Sequence, residues 1–318
     1  MILLELQRFS EEVSMRKLLV VVLIFLFVLS CGKGRLETEL TMDDLEHKEK
    51  EEDVFIIGHV PSANVIKVAQ RFKPLCDYLK DEIGKTIKLK FRPDYTGIIE
   101  KMKEGAYDMV IVGPKAYVEA RDQGAPYIAM LKPRRFGSSF YRSIIITRFD
   151  SRIKKIEDIK GKKFAFSDPK STSGYSFPKV FLIQHGLIPN KDFKVFFAGE
   201  HDNVVLNVHR GEYDVGACYD DARKTVFKSN LSKVEELTII AKTPDIPNEP
   251  YLIREDLLKN NKELVEKLKN ALLKLDKIPE GKNILKSLGE NIEGYDEAQD
   301  KDYDVVREAE KILKEYGN

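Results

Sequence analysis

Apolar and polar positions along residues 54–133 alternate between strand-like and helix-like blocks. The short apolar block at 54–60 predicts a strand. After it, Val65, Phe72 and Leu79 recur at helical spacing and predict a helix over 63–83. Further strands are predicted at 87–91, 107–113 and 127–133, and further helices at 96–105 and 114–124. This alternation indicates an α/β fold with parallel strands joined by crossover helices.

The same alternation begins again near residue 141. Strands are predicted at 141–148, within 156–169, at 193–199 and at 213–220, with helices at 175–186 and 203–211. Residues 237–247 run extended, and after them the pattern is helical over 261–276, 280–288 and 297–316. We therefore predict two lobes: lobe 1 from 53–143 and 241–318 with a helical C-terminal tail, and lobe 2 from 144–240. Chain crossings between two lobes form a hinged cleft, which is where α/β proteins bind ligands.

The N-terminal region has the pattern of an export signal. Two basic residues, Arg16 and Lys17, precede the apolar run 18–29, which is shorter than a membrane-spanning helix needs, so a signal peptide over 1–30 is favoured over a signal anchor. Residues 1–14 do not fit a signal, which makes Met15 an alternative start. The segment Val28-Leu29-Ser30-Cys31 is similar to a bacterial lipobox, so we predict lipidation at Cys31. The polar segment 31–52 then reads as a flexible tether.

Composition narrows the classes of function. Of 318 residues, 53 are Lys or Arg and 52 are Asp or Glu, a formal net charge of +1. This balance does not support nucleic-acid binding or a polybasic membrane patch. The three cysteines are too few for a disulfide framework, and we expect Cys76 and Cys218, both in apolar stretches, to be buried free thiols. Since neither a metal-ligand cluster nor a phosphate-binding nucleotide loop occurs in the sequence, we predict no metal, no ATP and no other cofactor.

The stretch "FSDPKSTSGYSFP" at 166–178 places three hydroxyl residues, Ser171, Thr172 and Ser173, before a helix that tolerates Pro178 in its first turn. Hydroxyls at a helix start either cap free backbone N–H groups or help to hold an anion there. Both interpretations stay open on this stretch alone. In the same lobe, His201 follows a predicted strand, at the edge where doubly wound sheets hold ligands.

Five ordered motifs carry a family resemblance. They are "PDYTGIIEKMKEGAYDMVIVGP" (93–114), "DPKSTSGYSFP" (168–178), "AGEHDNVV" (198–205), "YDVGACYDD" (213–221) and "DIPNEP" (245–250). Together, over about residues 54–316, the chain resembles the phosphonate-, phosphite- or phosphate-binding component of ABC importers. The resemblance implies a type II periplasmic-binding-protein fold, whose two lobes close on a ligand.

The resemblance also implies a set of ligand contacts. Ser171, Thr172, Ser173 and His201 would hold the phosphorus oxyanion, and Tyr95 and Tyr141 would reach it from the first lobe and the crossover. The acidic pair of the family would fall on Glu249 and on Asp221, with Asp220 as the alternative. Carboxylates beside an anion are costly unless a cation or a proton lies between them. Because both acidic positions are occupied, the sequence slightly favours an amine-bearing phosphonate.

The predicted function is therefore that of a monomeric, lipid-anchored, extracytoplasmic binding protein that delivers a phosphorus oxyanion to an ABC permease and its ATPase. One alternative is a receptor that presents the same ligand to a membrane sensor. A second is a hydrolase using Ser171 or Ser173 with His201 and Asp221. Since the chain has no G-x-S-x-G nucleophile motif, we predict that it is not an enzyme.

Overall fold

A computed structural model describes residues 54–60, 65–92, 94–220, 222–227, 230–289 and 292–316. These residues belong to one compact unit of the chain, Leu40–Asn318. The predicted signal peptide, Cys31, the tether at 31–52 and Asp221 lie outside the described residues. The structural statements below refer to the described residues.

The strands are, in chain order, β1 (Val54–His59), β2 (Thr86–Phe91), β3 (Met109–Ile111), β4 (Tyr127–Arg135), β5 (Phe140–Tyr141), β6 (Ser143–Arg148), β7 (Lys163–Phe166), β8 (Lys194–Phe197), β9 (Val215–Tyr219), β10 (Leu237–Lys242), β11 (Ile246–Pro247), β12 (Tyr251–Arg254) and β13 (Ile292–Glu297). The α-helices are α1 (Val65–Ile83), α2 (Tyr95–Lys103), α3 (Pro114–Asp122), α4 (Phe177–Gln184), α5 (His201–Arg210), α6 (Ala222–Val226), α7 (Leu231–Glu235), α8 (Glu255–Asn260), α9 (Lys262–Leu273), α10 (Pro279–Leu288) and α11 (Asp304–Glu315).

The described strands of lobe 1 form a six-stranded sheet in the order β13-β4-β12-β3-β1-β2. The central strand β1 pairs in parallel with β2 and with β3, as the strand–helix alternation predicts. Strand β12 then runs antiparallel between β3 and β4, because the chain enters it on its return from lobe 2. The ends of β1 and β3 therefore meet at one edge of this sheet, beside the cleft.

The sheet of lobe 2 has the order β10-β6-β9-β7-β8 and repeats this plan. Its strand β7 pairs in parallel with β8 and β9, and β6, which the chain enters from lobe 1, is antiparallel to β9 and β10. Between the two sheets, β5 and β11 pair as a short antiparallel ribbon. The two chain crossings therefore lie side by side.

The helices predicted at 261–276, 280–288 and 297–316 are found, although the last of them begins only at Asp304. The prediction missed two strands, β12 before the first of these helices and β13 between the second and the third, and both pair with β4. Strand β13, "IEGYDE", has only two large apolar residues, Ile292 and Tyr295, and it carries a glycine between them. This pattern of apolar residues is too weak to predict a strand, and the segment forms one because it pairs with β4.

The helix α11 ties the C-terminal region to both lobes. Its buried residues Val306 and Leu313 share an apolar core with Tyr117 of α3 and with Val180 and Ile183 of α4, which belongs to lobe 2. This contact places α3 of lobe 1 beside the turn that leads into α4. No helix of the described residues is long and apolar enough to cross a membrane.

Candidate ligand-binding cleft between the lobes

A cavity of about 260 Å³ lies where the two lobes face each other. One water molecule occupies about 30 Å³ in the liquid, and pockets for drug-sized ligands begin near 300 Å³, so the cavity suits a small molecule. The predicted site residues Tyr95, Tyr141, Ser171, Thr172, Ser173, His201 and Glu249 all line it. Asp220 lines it as well, whereas Asp221 lies outside the described residues. The structure thus brings these positions together, and their contact with a ligand stays a prediction.

The three hydroxyl residues form the start of a helix. Ser171 precedes a π-helical turn, Thr172–Ser176, that continues into α4, and its Oγ accepts a hydrogen bond from the backbone N–H of Gly174 at 3.0 Å. The turn needs a glycine here, because a Cβ on Gly174 would lie 1.7 Å from the Oγ of Ser167. Ser171 therefore does cap the helix, and the capping interpretation accounts for this one hydroxyl.

Ser171 also contacts His201, the first residue of α5. Its Oγ lies 3.1 Å from the Nε2 of His201, and the imidazole ring meets the ring of Tyr219 edge-on at 5.0 Å. Burial lowers the pKa of His201 to about 4, because a low-dielectric surrounding disfavours the charged imidazolium. These residues thus present neutral hydroxyls and a neutral imidazole to the cleft.

Lobe 1 meets the hydroxyl residues with donors of its own. The backbone N–H of Lys115, at the start of α3, donates to the Oγ1 of Thr172 at 2.8 Å. The hydroxyl of Tyr95 is hydrogen-bonded to Ser171, and that of Tyr141 to Ser173. Each hydroxyl of the turn is therefore linked to lobe 1, so the lobes are closed against each other at the site.

A buried lysine adds a further link between the lobes. The ammonium of Lys115 donates to the Oγ of Ser176 at 3.0 Å and pairs with Glu310 of α11 at 2.9 Å. Burial lowers the pKa of Lys115, although Glu310 opposes that shift. The lysine thus joins α3, α11 and the start of α4.

The predicted acidic residue Glu249 has a partner that sequence reasoning missed. Arg135, the last residue of β4, binds Glu249 through both terminal nitrogens of its guanidinium group. Nη1 donates to Oε2 at 2.8 Å, and Nη2 donates to Oε1. Burial alone would raise the pKa of Glu249, but the charge and hydrogen bonds of Arg135 outweigh burial and lower it. Glu249 is therefore an anion whose charge is matched within the chain. This pairing removes the basis on which Glu249 favoured an amine-bearing ligand.

Asp220 is the other acidic residue described at the cavity. Burial raises the pKa of its carboxyl, while backbone hydrogen bonds and the charges of Arg135 and Lys242 act in the opposite direction. Arg135 therefore acts on both carboxyls that are described at the cavity.

His59, at the end of β1, is a second residue that sequence reasoning missed. It lines the cavity, is 8 % exposed, and packs its ring 5.0 Å from Phe72 and 5.8 Å from Phe91. Burial lowers its pKa to about 4, even though the charge of Glu249 opposes the shift. The only signal available in the sequence was its position at the end of a strand beside the cleft.

Two other predictions concern cysteines and metals. Cys76 and Cys218 are both free and buried, as predicted. Among the described residues, no three His, Cys, Asp or Glu side chains are arranged to hold a metal ion.

Comparisons with known proteins identify the family. Residues 57–303 match the profile of the family described as "ABC transporter, phosphonate, periplasmic substrate-binding protein". The "Phosphonates-binding periplasmic protein" of Escherichia coli K12 is 27% identical over 247 residues, covering 76% of this chain and 72% of that protein. The "Phosphate-import protein PhnD" of Mycolicibacterium smegmatis is 29% identical over 229 residues, covering 68% and 70%.

The fold of this chain resembles that of a solved structure. The structure of PhnD1 from Prochlorococcus marinus, in complex with methylphosphonate, superimposes with a TM-score of 0.74 at 24% identity, covering 82% of this chain and 98% of that one. It is a periplasmic binding protein of the type II fold, so the predicted fold class is confirmed. The relatives carry names that refer to different ligands, phosphonate and phosphate, which leaves the choice of ligand to the residues of each cleft.

Proposed function

We propose that this chain captures a small phosphorus oxyanion by closure of its two lobes, because it belongs to the family of periplasmic substrate-binding proteins of ABC phosphonate transporters. The observation that carries the proposal is the hydrogen bonding of the hydroxyl turn across the cleft: the N–H of Lys115 donates to Thr172, and Tyr95 and Tyr141 are hydrogen-bonded to Ser171 and Ser173. A ligand that engages the turn would reach both lobes at once.

The chemistry of the turn suits an anion. Hydroxyls, an imidazole and free N–H groups at a helix start offer hydrogen-bond donors and the positive end of the helix dipole. None of these groups buries a full positive charge that would need compensation when the site is empty. In this proposal Ser171, Thr172, Ser173, His201, Tyr95 and Tyr141 contact the oxyanion, and Glu249 with Asp220 or Asp221 borders its substituent.

Calorimetric titration tests this function. Methylphosphonate, phosphite and phosphate are the probes, and sulfate is the control anion. We expect at least one phosphorus anion to bind with a Kd of about 1 μM or below, near −8 kcal/mol, and sulfate to bind about tenfold more weakly. In Thr172→Val, which keeps the shape of the side chain, affinity should fall roughly ten- to a hundredfold. Absence of binding for all three phosphorus anions would refute the proposal.

The family places the protein outside the cytoplasm as the binding component of an ABC importer. We add that Cys31 carries a lipid anchor, and that a permease and an ATPase receive the ligand from a monomeric protein. In a bacterial host, the full chain should fractionate with membranes and Cys31→Ser should not. Mass spectrometry that finds an unmodified N-terminus upstream of Cys31 would exclude the anchor.

The proposed function is not enzymatic. The contact between Ser171 and His201 resembles part of a hydrolase triad, but a triad also needs a carboxylate on the second ring nitrogen of the histidine. Among the described residues, the Nδ1 of His201 has no hydrogen-bond partner. In this proposal, purified protein releases no product from phosphate monoesters, and turnover that is lost in His201→Gln would contradict it.

A further inference from the structure

We propose that Arg135 determines the selectivity of the cleft: by saturating Glu249, it favours phosphonates with an uncharged alkyl substituent over phosphonates whose substituent ends in an ammonium group. The inference rests on the proposed function and names the class of ligand within it. It depends on the geometry of the Arg135–Glu249 pair and on its place at the cavity.

The pair engages both carboxylate oxygens of Glu249 with a single cation. Both carboxylate oxygens accept from the guanidinium, the bidentate arrangement in which arginine binds a carboxylate most strongly. A ligand ammonium would have to displace Arg135 or lie beside it, where the like charge repels it.

The backbone holds both partners in place. At Arg135 the chain turns back, with its N–H and carbonyl both hydrogen-bonded to Ser138 at 2.8 and 2.9 Å. Next to Glu249, the side-chain amide of Asn248 donates to the carbonyl of Pro133 at 2.7 Å, and its backbone N–H donates to Ser139 at 2.9 Å. Both partners are thus tied to one turn of lobe 1, which makes displacement of Arg135 by a ligand costly.

The Arg135–Glu249 pair lies at the cavity that would hold the ligand. Arg135 and Glu249 both line the cavity, and their side chains are 25% and 27% exposed. Tyr141, which is hydrogen-bonded to Ser173 of the hydroxyl turn, lies within electrostatic reach of both. A substituent that points away from the hydroxyl turn would pass this pair.

The remaining lining favours an uncharged substituent. Val68, Phe72 and Ile111 are buried apolar residues of the same cavity. Of the described charged residues that line it, Arg71, Arg135 and Lys286 are cations, while Asp220 and Glu249 are carboxylates. Arg135 also acts electrostatically on Asp220, which lessens the attraction of that carboxylate for an ammonium.

Two ligands of nearly equal shape test the proposal. Propylphosphonate and 2-aminoethylphosphonate differ only in a terminal methyl against an ammonium. By calorimetry on the full chain, we expect the wild type to bind propylphosphonate about tenfold or more tightly than 2-aminoethylphosphonate. Arg135→Met removes the cation and leaves Glu249 unpaired, so the preference should disappear or reverse.

Two further variants keep the test decisive. Arg134→Met removes a neighbouring arginine that pairs with Asp276 and Asp296 and does not line the cavity, so it should keep the preference of the wild type. If Arg135→Met does not fold, the double variant Arg135→Met/Glu249→Gln, which leaves neither charge without its partner, takes its place, and its preference for propylphosphonate should shrink.

The outcomes separate the two proposals. If phosphorus anions bind but the wild type favours 2-aminoethylphosphonate or binds both ligands equally, the selectivity proposal fails and the proposed function stands. A double variant Arg135→Met/Glu249→Gln that keeps the full preference of the wild type also overturns the selectivity proposal. If none of the phosphorus anions binds, the proposed function itself has failed.

Discussion

The wall of the cleft that lobe 2 contributes and the wall that lobe 1 contributes treat charge differently. On lobe 2, the hydroxyls of Ser171 and Ser173 and the imidazole of His201 are polar but neutral, and Asp220 is the acidic residue described at that wall. On lobe 1, Arg135 and Glu249 carry full charges, and they are paired with each other. Because both walls line the same cavity, a difference in solvent exposure alone does not explain their difference in charge.

This difference shows how a site for an anion can be stable when no ligand is bound. Neutral donors bond to one another across the cleft and leave no isolated charge to be desolvated. A charged residue at the same depth needs a partner, because removal of one member of a buried pair strands the other. We infer that lobe 2 recognises the oxyanion and that the paired charges of lobe 1 restrict its substituent.

The largest effect is expected from Gly174→Ala, which breaks the lobe 2 wall alone. Its new Cβ would lie 2.7 Å from the Cβ of Ser167 and 2.9 Å from the Cε1 of His201, so the turn must move away from both. Ligand affinity should fall by roughly a hundredfold or more, since several hydrogen bonds to the anion are lost together. Calorimetry with the tightest phosphorus anion measures this loss.

Gly281→Ala is the matched control in lobe 1. Its Cβ would meet the backbone of Leu275 at 2.2 Å, and Gly281 does not line the cavity. Overpacking of this kind typically costs about 1–3 kcal/mol of stability. Thermal unfolding should therefore shift while affinity changes little, and an equal loss of affinity in both variants would show that general destabilisation explains the result.

The two walls also differ in how far the sequence predicts them. The lobe 2 wall is local: the hydroxyl turn is one continuous stretch, and His201 follows a strand whose end the pattern indicates. The lobe 1 wall depends on contacts that are distant in the chain. Arg135 and Glu249 are 114 positions apart, and in the sequence Arg135 is one of two adjacent arginines after a strand. Strand β13 escaped prediction for the same reason, because only β4 makes it a strand.

An intermediate effect is expected from two serines within the same turn. Ser171 caps the helix through Gly174 and contacts His201, so Ser171→Ala should cost about 1 kcal/mol of stability and roughly ten- to a hundredfold in affinity. Ser173 makes no cap, and its hydroxyl is bonded to Tyr141, so Ser173→Ala should lower affinity with a smaller change in stability. Thermal unfolding without ligand and calorimetry with ligand separate the two losses. If Ser171→Ala loses stability but keeps its affinity, capping is the whole role of that hydroxyl.

The smallest effect uses a titratable residue type that occurs on both walls, a buried histidine. His201 on lobe 2 and His59 on lobe 1 each have a folded-state pKa of about 4, below the ordinary 6.5, because burial disfavours the imidazolium. Below pH 6.5 the unfolded chain takes up protons that the folded chain does not. Stability is therefore present above pH 6.5 and is lost as the pH falls towards 4, by about 1.4 kcal/mol per pH unit for each histidine.

Urea unfolding at pH 7 and pH 5, with and without saturating methylphosphonate, assigns this loss to the two walls. Without ligand, His59→Phe and His201→Gln should each remove a similar part of the loss. A bound anion favours a protonated neighbour, so ligand should reduce the part that belongs to His201 and leave the part of His59 unchanged. An identical response of both histidines to ligand would mean that the anion does not lie closer to lobe 2, and the assignment of recognition to that lobe would be wrong.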